Sequence, residues 1–165
     1  MDAQQILNFP IWVRHASEQD AISQTVVERC LRIAVDALEG KHDRDGNALI
    51  LHSLIVGSMG QTEAEKCLGF LHDVVEDTEW TFDDLIRVGV PKEVVEAAML
   101  CTHSKDEDYD VYIQRIIDSK NPTAIHVKLN DLRHNLARGK AYGYDRLVAK
   151  HSKALQRIEQ ALKEI

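Results

Sequence analysis

Three short boxes punctuate the chain: Ser17 with Asp20, Thr62 with Glu65, and Thr81 with Asp84. In each, a hydroxyl residue stands three positions before an acid. That is the signature of a helix N-terminus, where the two side chains satisfy backbone N–H groups that have no partner inside the helix. Apolar residues then recur at helical spacing. After Ser17 they are Ile22, Val26, Cys30, Ile33, Ala34 and Ala37, with Gly40 as the stop. After Thr62 they are Ala64, Leu68, Leu71 and Val75, read as one helix, and after Thr81 a short segment stops at Gly89.

The rest of the chain reads the same way. A helix carries Leu49, His52, Ile55, Val56 and Met59 and ends at Gly60. Pro91 suits the first turn of a helix with Val94, Val95, Ala98 and Cys101. Another helix covers roughly Val111 to Ser119, and Asn121-Pro122 caps one that runs through IHVKLNDLRHN. A loop around GKAYGY leads to a last amphipathic helix, Asp145 to Lys163. The sum is about eight helices, with no strand pattern, repeat or Pro/Gly/Ser-rich linker. Residues 1–165 are therefore expected to form a single all-α domain, a helical bundle.

Charge and cysteine usage narrow the function. A formal net charge of -7 disfavours nucleic acid and anionic membranes as partners. Cys30, Cys67 and Cys101 are widely spaced and include no CxxC, which fits reduced thiols in a cytoplasmic protein. The first ten residues, MDAQQILNFP, do not read as a signal peptide.

One octapeptide conflicts with its surroundings. LHDVVEDT, Leu71 to Thr78, continues an apolar helix, yet it holds His72, Asp73, Glu76 and Asp77. On a helix, residues four apart share a face, so His72 pairs with Glu76 and Asp73 with Asp77. Acids in a last turn oppose the helix dipole, and buried charge is costly without a partner. A divalent cation would compensate. The bland alternative is a solvated terminal turn beside a core histidine. His52, in LILHSL, and Asp131, in VKLNDLRHNL, also lie in apolar segments. Two histidines and two aspartates on three helices make a plausible first shell for Mn²⁺, Fe²⁺ or Zn²⁺.

These residues follow an H…HD…D order, and in this they resemble the HD-domain metal-dependent phosphohydrolases. HDVVEDT followed by TFDDL, together with KLNDLRHN, is similar to the hydrolase domain of the RelA/SpoT homologues, including the small stand-alone alarmone hydrolases. The resemblance spans about Val26 to Lys163. It implies an all-α HD-domain bundle and a divalent metal, usually Mn²⁺, with Fe²⁺, Zn²⁺ or Mg²⁺ as alternatives. It also implies removal of the 3'-pyrophosphate from guanosine 3',5'-bis(diphosphate). His52, His72, Asp73 and Asp131 become the metal ligands, Glu76 and Asp77 the pair that manages the attacking water, and Asn135 a substrate contact. The family's loop RKxGxPYIxH reads DRDGNALILH here: Arg44 and Gly46 match, Asp43 replaces a basic residue, and the PY is absent.

A phosphorylated nucleotide needs local positive charge. Arg44, Lys128, Arg133, Arg138 and Lys140 adjoin the motifs, and Lys105, Tyr109 and Tyr112 could contact phosphate or base. His134 could face the site from beside Asp131; His126 reads as packed, and His15, His42, His103 and His151 as surface or loop residues. The apolar stripe Leu147, Ala154, Leu155, Ile158 and Leu162 is core packing, and would also serve a homo-oligomer. Two other functions fit the same residues: a phosphomonoesterase on nucleotides or other small phosphate esters, and a non-catalytic nucleotide-sensing HD domain.

Overall fold

Thr25 opens the described residues with a further capping box. Its hydroxyl accepts from Glu28 N–H while the Glu28 carboxylate accepts from Thr25 N–H. In the computed structural model, which describes residues 25–164, helix α1 therefore starts here and runs Val26–Ala37. The expected start at Ser17 and Asp20, and Ile22, lie outside the described residues.

Eight further helical segments follow: α2 Ile50–Ser58, α3 Glu63–Leu71, α4 Val74–Asp77, α5 Phe82–Arg87, α6 Lys92–Cys101, α7 Tyr109–Asp118, α8 Pro122–Tyr142 and α9 Asp145–Leu162. The expected all-α fold is what the chain adopts. Among the described residues the nearest thing to a sheet is one isolated bridge between His42 and Ala48. None of the described helices is long and apolar enough to cross a membrane.

The Thr62–Glu65 and Thr81–Asp84 boxes form with both reciprocal bonds in place. Asn121 caps α8 through Ala124 N–H, with Pro122 at its first position. Two of the expected stops share one cause. Gly40 and Gly89 take φ of 71° and 85°, a region that costs an L side chain energy.

Two expectations need correction. The helix through Leu71 and Val75 is not continuous: α3 ends at Leu71, His72 and Asp73 form a turn, and α4 is a single further turn. Asp77 N–H still bonds the Asp73 carbonyl at 2.9 Å, so the four-residue relation survives the break. Second, Gly139-Lys140-Ala141-Tyr142 is helical rather than loop. Helix α8 continues to Tyr142, and Gly143 at φ 71° ends it. A Cβ at Gly139 would stand 3.1 Å from the Val148 side chain, so its absence lets α9 fold back closely.

The crossing of α2 and α3 is tighter still. A Cβ on Gly69 would lie 2.6 Å from the Gly57 Cα, and one on Gly57 would lie 2.2 Å from the Phe70 ring. Only glycines allow this approach, and it brings His52 of α2 against His72 at the end of α3. Around them Cys30, Ile33, Leu68, Leu71, Leu85, Ile113, Ile116, Ile125, Leu132 and Ile158 form one buried apolar cluster. Removing that apolar area from water is the main favourable term in such a fold.

Candidate metal centre

Against this apolar core lie four polar groups from three parts of the chain. His52 lies in the first turn of α2, His72 and Asp73 occupy the turn between α3 and α4, and Asp131 sits midway along α8. His52, His72 and Asp131 are buried, and Asp73 is half-buried. His52 Nε2 is 3.1 Å from His72 Nε2, 3.2 Å from Asp131 Oδ1 and 3.6 Å from Asp73 Oδ2. His72 Nε2 is 3.2 Å from Asp73 Oδ1 and 3.9 Å from Asp131 Oδ1.

These spacings fit a shared ion. Two ligands each about 2.1 Å from a metal, at a right angle, stand about 3 Å apart. His52, His72 and Asp73 each aim one ligand atom to within 4.8 Å of the other two. The donor chemistry agrees. His72 Nδ1–H donates to the Gly69 carbonyl at 2.8 Å, which leaves Nε2 as a bare lone pair facing the cluster. Asp131 is oriented by neighbours one turn away on its own helix: Lys128 Nζ bonds Oδ2 at 2.7 Å, and the Asn135 amide donates to Oδ1.

Charge is balanced locally. Burial alone would raise the Asp131 pKa, but Lys128 and His52 hold it well below the usual carboxylate range. Burial alone would lower that of Lys128, and Asp131 holds it well above the usual value instead. Burial would likewise depress His52, yet Asp131 and Asp73 raise it. The His134 ring stays below the ordinary histidine value, through burial and the neighbouring His52 and Arg138.

Glu76 and Asp77 stand at the edge, on α4. Their side chains reach solvent, but surrounding protein restricts hydration of the carboxylates and raises both pKa values, with Asp73 adding repulsion. Glu76 also accepts from His103 N–H at 3.0 Å.

The cluster is the floor of a cavity of about 400 Å³. Of the residues expected at a substrate site, Arg44, Asn135, Lys128, Tyr112, Tyr109 and Arg138 line it. Lys105 does not; it is exposed in the α6–α7 loop. Arg133 and Lys140 also fall outside, and Arg133 pairs with Glu159 at 3.3 Å. Tyr112 lines the cavity from a buried position and Lys128 from a largely buried one: Lys128 is tied to Asp131, and the Tyr112 hydroxyl donates to the Cys101 carbonyl.

The structure adds wall residues that the sequence reading placed elsewhere. His103 and His151, read as surface or loop, both line the cavity, as do Leu147 and Lys150 of α9. The Lys150 ammonium lies over the Tyr109 ring, 3.6 Å from its centroid. The signal for α9 is the spacing of Leu147, Lys150 and His151, three and four residues apart on one helix face. His126, read as packed, is half-exposed and bonds the buried Glu65 at 2.8 Å.

The loop before α2 is pinned from across the chain. Arg138 Nη2 contacts Asp43 at 2.9 Å and Asp45 at 2.8 Å, and the Tyr144 hydroxyl donates to Asp45. The Asp43 carboxylate also accepts from the N–H groups of Asp45 and Asn47, which folds the loop on itself. Arg44 is left over the Tyr144 ring, 5.6 Å from its centroid.

No protein-family model matches this chain, and no curated protein sequence does. Among solved structures, one described as a metazoan ortholog of SpoT that hydrolyzes ppGpp and plays a role in starvation responses has a similar fold. The two share 18% sequence identity, with 86% of this chain and 96% of that chain covered, at a TM-score of 0.59. At that identity the likeness concerns the fold: the chain folds as an all-α bundle of the architecture its motifs resemble.

Proposed function

We propose that the protein is a divalent-metal-dependent phosphohydrolase of phosphorylated nucleotides, acting as a guanosine 3',5'-bis(diphosphate) 3'-pyrophosphohydrolase. The observation that carries this reading is the convergence of His52, His72, Asp73 and Asp131 at the floor of a cavity with Glu76 and Asp77 on its rim. Two imidazoles and two carboxylates suit Mn²⁺, with Fe²⁺, Zn²⁺ or Mg²⁺ as alternatives. Bound there, such an ion acidifies water and neutralises a phosphoryl oxygen.

The chain's own residues supply the rest. Glu76 and Asp77, with raised pKa values, are placed to orient a water and take its proton. Lys128 and Asn135 keep Asp131 in one orientation. Arg44 and Lys150, which form no ion pair among the described residues, would offer charge to the phosphates farther from the floor. The fold shared with a ppGpp hydrolase supports the substrate class.

A second reading, phosphomonoesterase, is favoured by one feature. Arg138 is already neutralised by Asp43 and Asp45, so the cavity offers little free positive charge for two diphosphates. One experiment separates them: the purified protein is loaded with Mn²⁺ and given the alarmone and a panel of nucleotide monophosphates. Pyrophosphate from the alarmone is expected, with Asp73→Ala losing both metal and turnover. Metal-loaded protein that leaves the alarmone intact and releases orthophosphate from the panel overturns the first reading in favour of the second.

A further inference from the structure

His134 belongs to none of the ligand pairs above, yet it touches one of the ligands from behind. Its Nδ1 lies 2.6 Å from Nδ1 of His52, with ring centroids 4.9 Å apart and planes inclined by 23°. Two imidazole nitrogens this close share one hydrogen, so one ring donates and the other accepts. The far nitrogen of His52, Nε2, is the one that faces His72, Asp131 and Asp73.

A ligating imidazole uses a bare lone pair, so Nε2 can serve only when the ring hydrogen sits on Nδ1. His72 meets this requirement through a backbone group, the Gly69 carbonyl. The Nδ1 of His52 has a side chain instead, His134. That residue stands three positions after Asp131 on α8. One helix thus presents a carboxylate to the front of the His52 ring and a hydrogen-bond acceptor to its back.

We propose that His134 is a positioning residue: its Nδ1 lone pair accepts the His52 Nδ1–H and so holds His52 in the tautomer and orientation that aim Nε2 into the cluster. This rests on the metal-centre reading above. His134 itself touches neither metal nor substrate in this role.

The test uses the full chain, stripped of metal and titrated with Mn²⁺ by calorimetry. His134→Phe keeps an aromatic ring but removes the acceptor, and should weaken Mn²⁺ binding about 10- to 100-fold. His134→Asn carries its amide oxygen at the same number of bonds from Cβ as the lost Nδ1, and should recover most of that affinity. On Zn²⁺-loaded protein, nitrogen-15 imidazole spectra should show the His52 hydrogen on Nδ1 in the wild type and in His134→Asn, coupled in the wild type to His134 Nδ1 across the hydrogen bond. Circular dichroism melts identify a variant that has merely lost its fold, and the wild-type tautomer stands whatever the variants do. Wild-type Mn²⁺ affinity in a folded His134→Phe, or a His52 hydrogen found on Nε2, overturns the positioning role alone. A wild type that takes up no Mn²⁺ overturns the metal centre and the role together.

Discussion

The floor and the mouth of one cavity treat charge in opposite ways. On the floor, four carboxylate and imidazole groups converge, and the Lys128 ammonium beside them is largely buried and bonded to Asp131. At the mouth, Arg138 is held by two aspartates of the pre-α2 loop, while Arg44 and Lys150 lie over tyrosine rings. The floor concentrates negative charge that calls for a cation. The mouth has most of its positive charge already matched or shielded. On the reading proposed above, an anionic substrate would find little unpaired positive charge at the entrance and would depend on the centre for its main attraction.

The largest effect is expected at the floor. Asp131→Ala should abolish Mn²⁺ retention, read by elemental analysis after gel filtration. It should also destabilise the metal-free fold by about 3–5 kcal/mol, because Lys128 is left buried without a counter-charge. Adding Lys128→Met should restore stability in urea denaturation but not the metal, which separates the two roles. The Asp131 pKa is lowered on folding. Its stabilisation is therefore present above the unfolded value of about 3.9 and lost as pH falls through the depressed folded value. An acid melt of wild type that shows no such loss would break the contrast.

Next comes the rim. Glu76→Gln should keep Mn²⁺ and lower kcat by about 10²-fold. Because the Glu76 pKa is raised, the acid limb of the wild-type rate profile should lie above the ordinary glutamate range and disappear in the variant. The same sign has a consequence for stability. Ionising a group whose folded pKa is raised costs the native state, so Glu76→Gln should be no less stable than wild type at neutral pH.

A smaller change is expected at the mouth. Arg138→Ala removes charged hydrogen bonds to Asp43 and Asp45 and should lower stability modestly in urea denaturation. Freed of that tie, the loop carrying Arg44 should bind substrate less well, raising KM with kcat nearly unchanged. If kcat falls as far as it does in Glu76→Gln, floor and mouth are not separable. The smallest effect belongs to Lys105→Ala. Lys105 is exposed and outside the cavity, so KM should stay within about twofold and stability within about 0.5 kcal/mol.

How much of this was legible in the sequence follows from distance along the chain. Capping boxes, proline at the start of α8 and glycine stops act within one turn, so most elements were found near their observed limits. The Thr25–Glu28 box is hidden in the sequence by apolar residues on both sides of it, Ile22 and Val26, which keep the same period. The turn at His72-Asp73 was hidden for a related reason: both residues keep right-handed helical angles, and the four-residue spacing continues across the break. The cavity wall from α9 was hard to see, because Lys150 and His151 have ordinary helix-surface spacing until α9 folds back against Gly139.

The sequence by itself determined the helices and the grouping of acids and histidines into three segments, because periodicity and one-turn spacing are local properties. Only the tertiary structure decided that these segments meet. Glycines at 57 and 69 let two helices cross closely enough to set His52 against His72. It also decided the fate of the cations: whether an arginine faces a ligand or an aspartate depends on residues far along the chain, as with Arg138 and Asp43. Local rules act through bonds and single turns, while a site is made where separate elements are packed together.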